Sequence, residues 1–142
     1  MLKNIPPLLS PELLKALCEM GHGDRLIIAD GNFPAESKGK NHLVIRCDGH
    51  GVPEILDAIL QVFPLDNFVD KSAFLMQVPE PDAPDPVIWK QYREIVGKYE
   101  KQEYIDTIAK PDFMQEAEKA YLIIASSEKA LYANIMLQKG CI

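Results

Sequence analysis

A five-residue run, Arg25 to Ala29, is held between two glycine turns, Gly21-His22-Gly23-Asp24 and Asp30-Gly31-Asn32. The run is too short for a helix, and Leu26, Ile27 and Ile28 in succession read as a buried-type strand. Leu43-Val44-Ile45-Arg46-Cys47 and Tyr121 to Ala125 are two more strands. Ala73 to Val78 and Leu131 to Gln138 complete the predicted strands.

Helical patterns separate them. Ser10 suits an N-cap, Pro11 the first helical position and Glu12 the positive end of the dipole. Leu13, Leu14, Leu17 and Met20 follow at helical spacing, and Gly21 is a natural stop. Val52 to Phe63 predicts an amphipathic helix closed by Pro64. Asp85 and Pro86 open another, carrying Ile88, Trp89, Tyr92, Ile95, Val96 and Tyr99. Asp112 and Gln115 have capping-box spacing ahead of Phe113, Ala117 and Ala120. The stretch Pro79 to Pro86 predicts an exposed, acidic, stiff loop, because its prolines supply no donors. Helices alternating with strands predict an α/β sandwich: one mixed, partly parallel sheet with flanking helices, in a single domain spanning residues 1–142.

Charge and composition exclude several function classes. The net charge of −6 repels a phosphate backbone or an anionic lipid surface, and no basic cluster offsets it. No apolar stretch approaches the length of a membrane span, and the N-terminus has no signal-peptide core. Nucleic acid and membrane are therefore not expected partners. Cys18, Cys47 and Cys141 form neither a CxxC pair nor an even set, which fits a reducing cytoplasm better than a disulfide framework. The glycines around His22 lack the downstream Gly and Lys-Ser/Thr of a phosphate loop. No Gly-x-Ser-x-Gly elbow is present.

The groups able to do chemistry sit at the ends of the apolar runs. His22 lies between two glycines, where backbone bends freely and a ligand approaches closely. An imidazole donates and accepts protons near neutral pH. A solvated turn residue is the plain alternative. Asp30 reads as a ligand for hydroxyl groups or as a turn-former ahead of Gly31-Asn32. Tyr132 and Asn134, two apart on the predicted last strand, share one face, with Leu131, Ala133 and Ile135 on the other. A phenol beside a carboxamide gives the directional donors and acceptors of a sugar pocket, or the polar row of an edge strand. His42, Asp48 and His50 would join His22 and Asp30 as metal ligands in a metal-dependent hydrolase or epimerase. No HxH, HxxxH or HExxH spacing supports that reading.

The chain resembles the L-fucose mutarotase and D-ribose pyranase family along nearly its whole length. The matching pieces run in order: Leu8 to Leu14, Glu19 to Asp24, Ala29 to Pro34, Arg46 to Gly49, Pro64 to Asp66, Glu118 to Tyr121 and Tyr132 to Ile135. The Asn32-Phe33-Pro34 and Pro64-Leu65-Asp66 segments look like the fucose branch. The resemblance implies a mutarotase that interconverts the α and β anomers of a free monosaccharide, proton-transfer chemistry for which a histidine with one or two polar partners suffices without metal or cofactor. It implies His22 as proton donor, with Asp30, Tyr132, the Ala133 backbone and Asn134 binding sugar. Lys110 stands where fucose mutarotases carry arginine, and a guanidinium fork is not interchangeable with an ammonium. The resemblance further implies cytoplasmic ring-shaped homo-oligomers, commonly decamers, with sites at subunit boundaries. A ribose-type mutarotase and a sugar-binding protein without turnover are the alternatives.

One tension follows from the spacing. His22 and Asp30 are eight residues apart, roughly 26 Å if fully extended at ~3.3 Å per residue. Either the segment bends sharply, or these two groups do not face one sugar within one chain.

Overall fold

Ser10 opens the first helix, α1 (Pro11–Glu19), by accepting the Leu13 N–H on its hydroxyl at 3.2 Å. A computed structural model describes residues 1–81 and 83–142. The chain continues through β1 (Arg25–Ala29), α2 (Ala35–Lys38), β2 (Leu43–Cys47), α3 (Val52–Leu60) and β3 (Ala73–Met76). Then come α4 (Val87–Tyr99), β4 (Ile105–Ile108), α5 (Lys110–Ala117), β5 (Leu122–Ser126) and β6 (Ile135–Gln138).

The described strands form one sheet in the order β2-β5-β1-β6-β3-β4. β1, β2 and β5 run parallel to one another, as do β3 and β4. β6 lies antiparallel between β1 and β3 and joins the two parallel groups. The sheet is therefore mixed and partly parallel, as the alternation of elements predicts.

Strand alternation divides the core in two. Leu26 and Ile28 of β1, Leu122 and Ile124 of β5, and Ile135 and Leu137 of β6 pack with α1, α3 and α4. Ile27, Ala29, Ile123, Ala125 and Met136 pack on the other face with Phe113 and Ala117 of α5. Helices thus cover both faces, and β1 and β5 are buried along nearly their whole length.

Several sequence expectations are corrected. The last strand begins at Ile135, not Leu131, because residues 131–134 make contacts outside the ladder. α5 begins at Lys110, with Pro111 in its first turn and no side-chain cap, so Asp112 and Gln115 form no capping box. α3 ends at Leu60, before the turn in which the Val62 N–H reaches the Ile59 carbonyl. β4 and α2 were not predicted. β4 is an edge strand whose central Asp106 and Thr107 are exposed, so it carries no apolar run to betray it. The loop from Pro79 to Pro86 is irregular and largely exposed at its described residues, while Asp82 lies outside them.

Candidate functional site

The end of β1 delivers Asp30 into a turn, and its backbone there bonds a side chain rather than another strand. The Asp30 N–H donates to Asn134 Oδ1 at 2.8 Å, and Asn134 Nδ2 returns a bond to Asp30 Oδ2 at 3.0 Å. Asp30 Oδ1 accepts the Asn32 N–H at 3.0 Å. Both side chains are buried, Asp30 at 7 % exposure and Asn134 at 2 %. A buried carboxylate needs such partners, and here they also fix its direction.

The segment before β6 is anchored from behind by α4. Trp89 Nε1 donates to the Tyr132 carbonyl at 2.8 Å, and the Tyr92 hydroxyl to the Ala133 carbonyl at 2.6 Å. Burial, helped by the negative charges of Glu128 and Asp30, pushes the Tyr92 phenol far above its usual range, so it remains a donor. Tyr132 itself takes a left-handed backbone, φ +53°. This is why the strand pattern fails at residues 131–134: the carbonyls are drawn out of the sheet's plane of pairing toward α4. In a trans peptide the N–H lies opposite its carbonyl. The Ala133 and Asn134 N–H groups therefore face away from α4, toward the side where Phe33, Met76 and Met114 pack.

Glu128 holds the same segment at its start. Its carboxylate accepts the Lys129, Ala130 and Val52 N–H groups, and its carbonyl accepts the Gly31 N–H at 2.8 Å. The segment anchored in this way forms one wall of a cavity of about 410 Å³. Asp30, Asn134, Tyr132 and Lys110 supply its polar groups. Phe33, Met76, Met114 and Leu131 supply apolar wall. A carboxylate, a carboxamide, a phenol and an ammonium beside apolar surface suit a small polyol with one hydrophobic face. The structure thus brings Asp30, Lys110, Tyr132 and Asn134 to one cavity, with Ala133 buried behind it.

His22 is not there. It sits at the opposite end of β1, roughly 16 Å of strand away from Asp30 at ~3.3 Å per residue. Gly23, at φ +86°, makes the turn after it, and its N–H bonds the Lys139 carbonyl at 2.8 Å. His22 lines a second cavity, of about 430 Å³, with Cys18, Pro64 and Cys141. The two cavities share no residue. The sharp bend that would join His22 to Asp30 within one chain does not occur.

The partner of His22 is Asp66, which the sequence reading did not single out. His22 Nε2 lies 3.1 Å from Asp66 Oδ2. Asp66 is 2 % exposed and also accepts Gln138 Nε2 at 2.9 Å and the Phe68 N–H at 3.0 Å. Gly140 makes room for it, since a Cβ there would meet the Leu65 carbonyl oxygen at 2.4 Å and Asp66 Cα at 2.7 Å. The sequence marked this place only as the Pro64-Leu65-Asp66 segment of the family resemblance, with no role for the carboxylate that ends it. An ionised carboxylate only accepts, so the proton on the His22 ring sits on Nε2. Nδ1 is left to exchange a proton with whatever reaches the 46 % exposed side chain. The Phe68 ring, 74 % exposed, stands 5.5 Å from the imidazole.

Burial works to raise the Asp66 carboxyl, but the bonds from Gln138, the Phe68 N–H and His22 outweigh it and hold the group below its ordinary value. Its contribution to stability is therefore present above the ordinary carboxylate value of ~3.9 and lost as pH falls through the lower folded value. In urea titrations from pH 7 to pH 2, the midpoint of the wild-type protein is expected to fall below about pH 4. Asp66→Asn should fall less steeply over that range. An identical slope in both proteins would show that the Asp66 charge contributes nothing.

The remaining candidate ligands are dispersed. His42 bonds the Glu118 carbonyl, Asp48 pairs with Arg46, and His50 pairs with Glu54. Among the described residues, no three His, Cys, Asp or Glu side chains converge as a metal site. No helix among them is long and apolar enough to cross a membrane.

Comparison with known proteins follows the same lines. The family model described as the RbsD / FucU transport protein family matches residues 3–142. The human protein named fucose mutarotase is 40 % identical over 98 % of this chain and 93 % of its own length. The FucU structure from Bifidobacterium longum superposes with a TM-score of 0.95 at 52 % identity, covering 99 % of both chains. The fucose mutarotase of Streptococcus pneumoniae, solved in complex with L-fucose, gives a TM-score of 0.92 at 44 % identity, again over 99 % of each chain.

Proposed function

Because this chain belongs to the RbsD / FucU transport protein family, we propose that it is a fucose mutarotase, an isomerase interconverting the α and β anomers of free L-fucose. Residues 1–142 form its one mutarotase domain. The observation that carries the reading beyond likeness is the cavity at the end of β1. There a buried Asp30–Asn134 pair and the α4-anchored Tyr132–Asn134 segment present fixed donors and acceptors beside an apolar wall.

The chemistry asks little of the protein. The hemiacetal opens when O1–H loses a proton and the ring oxygen gains one. The aldehyde turns about C1–C2 and recloses on its other face. No bond to carbon other than C–O breaks, and no electrons leave the sugar. General acid–base groups typically contribute ~10²–10⁴-fold, enough for a reaction that also runs in water. Asp30, Asn134 and the Ala133 backbone hold sugar hydroxyls, and Lys110 adds a point charge at the cavity rim. The apolar wall of Phe33, Met76 and Met114 suits the methyl group of a 6-deoxy sugar. In its doubly protonated form His22 gives the Nδ1 proton to the ring oxygen, while Nε2–H stays on Asp66, and Nδ1 takes a proton back as the ring recloses. The Tyr132 phenol assists the second proton transfer.

His22 and the Asp30 cavity lie at opposite ends of one sheet, so the complete site joins two subunits. The His22 turn of one chain closes the Asp30 cavity of its neighbour. A ring-shaped homo-oligomer, a decamer, provides such boundaries throughout. The three cysteines are free thiols, in keeping with a reducing, cytoplasmic setting.

The test is magnetisation exchange by NMR on L-fucose at equilibrium. Saturating one anomeric proton should deplete the other in the presence of protein, well above the rate in buffer alone. Binding-induced broadening without exchange would make the protein a sugar-binding module instead.

A further inference from the structure

Arg25 and Gln138 face each other directly across the β1–β6 pair. Arg25 Nε donates to Gln138 Oε1 at 3.0 Å. Its Nη1 binds Glu116 Oε2 at 2.8 Å, and the guanidinium lies 5.1 Å from the centre of the Phe74 ring. A guanidinium has no acceptor, so it fixes which end of the Gln138 amide it meets. The oxygen faces Arg25, and the NH₂ is turned to Asp66 Oδ2, 2.9 Å away. That same Oδ2 receives His22 Nε2.

We infer that Gln138, locked in one amide orientation by Arg25, is a positioning residue that sets the proton affinity of His22 through Asp66. The inference rests on the reading of His22 as the proton carrier. The amide offers Asp66 a donor without a charge. With it, part of the carboxylate's acceptor capacity is taken up, and His22 is held by a tempered rather than a bare negative charge. The depressed carboxyl of Asp66 agrees with this arrangement.

The other charged groups around the pair are engaged elsewhere. Lys139 directs its ammonium to the Leu17 and Met20 carbonyls at 2.7 and 2.5 Å. Asp24 accepts the Gly21 N–H at 2.7 Å, and Glu100, from the end of α4, accepts the Leu65 N–H at 3.2 Å. Glu116, from α5, is paired with Arg25. Cys18 and Cys141 line the His22 cavity. Gln138 is therefore the one side chain besides His22 seen to bond the Asp66 carboxylate among the described residues.

Two variants push in opposite directions. Gln138→Met keeps the length but deletes the donor, leaving Asp66 more negative toward the imidazole. The titration midpoint of the His22 ring signals, followed by NMR on the assembled protein, should rise by about half a pH unit. Gln138→Lys brings a cation to Asp66 and should lower that midpoint by about one unit. A residue that merely filled space would move both variants the same way or neither. If each variant, with wild-type assembly, kept the wild-type midpoint, or if both shifted in one direction, the inference would be overturned. Anomer exchange is measured across the same pH range. Midpoints that move as expected while the rate profile stays put would uphold the role of Gln138 and remove His22 from proton transfer, so the two failures are told apart.

Discussion

His22→Ala is expected to slow anomer exchange by about 10²- to 10⁴-fold, the usual worth of a general acid–base group. Sugar affinity should change little, because Asp30, Lys110, Tyr132 and Asn134 of the cavity supply the hydroxyl contacts, and the neighbour's His22 adds the proton transfer. The substitution is also mild for the fold. The His22 side chain is 46 % exposed, and the turn around it is held by the backbone bond from Gly23 to Lys139. Asp66 keeps its bonds from Gln138 and Phe68 in the variant, so the buried carboxylate is not left without donors. The comparison requires that the variant assembles as the wild type does. A correctly assembled His22→Ala protein exchanging anomers at the wild-type rate would overturn the mechanism.

The second large effect separates a shared site from a self-contained one. Asp30→Ala removes the carboxylate that Asn134 and the Asn32 N–H bond, so that variant too should be nearly inactive, chiefly through lost sugar binding. On the shared site proposed above, each variant alone lacks one half of every site. Co-expressed or dissociated and reassembled together in equal amounts, they should recover about one quarter of wild-type activity. That is the fraction of boundaries at which an intact His22 meets an intact Asp30 cavity in a randomly mixed closed ring. If His22 and Asp30 of one chain served the same sugar, no mixing would restore activity, since every chain would carry one defect. Native mass spectrometry confirming mixed assemblies is the necessary companion measurement.

Much of the fold was legible because its signals are local. β1 and β2 were bounded correctly by turn residues and continuous apolar runs. Ser10 capped α1 because a hydroxyl at that position meets the N–H three residues on, whatever surrounds it. The misses had non-local causes. Leu131 to Asn134 alternates like a strand, yet Trp89 and Tyr92, more than forty residues upstream, capture its carbonyls. β4 pairs with β3 at the sheet's edge with two polar residues at its centre, so only the ladder reveals it.

The site divides in the same way. By itself the sequence determined which chemistry was available: an imidazole between glycines, a carboxylate after an apolar strand, a phenol and a carboxamide near the C-terminus. It also posed the conflict between His22 and Asp30, because strand rise is a fixed length per residue. Only the tertiary structure decided the pairings. Asp30 meets Asn134 across 104 positions of chain, and Gln138 meets Arg25 across 113, because β6 enters antiparallel beside β1 in one register. Asp66 reaches His22 because the chain before β3 passes against Gly140, where no side chain stands in the way. Periodicity and turn chemistry act over a few residues. Strand order and register join residues a hundred positions apart, and the packing of two helical layers onto one sheet fixed both here.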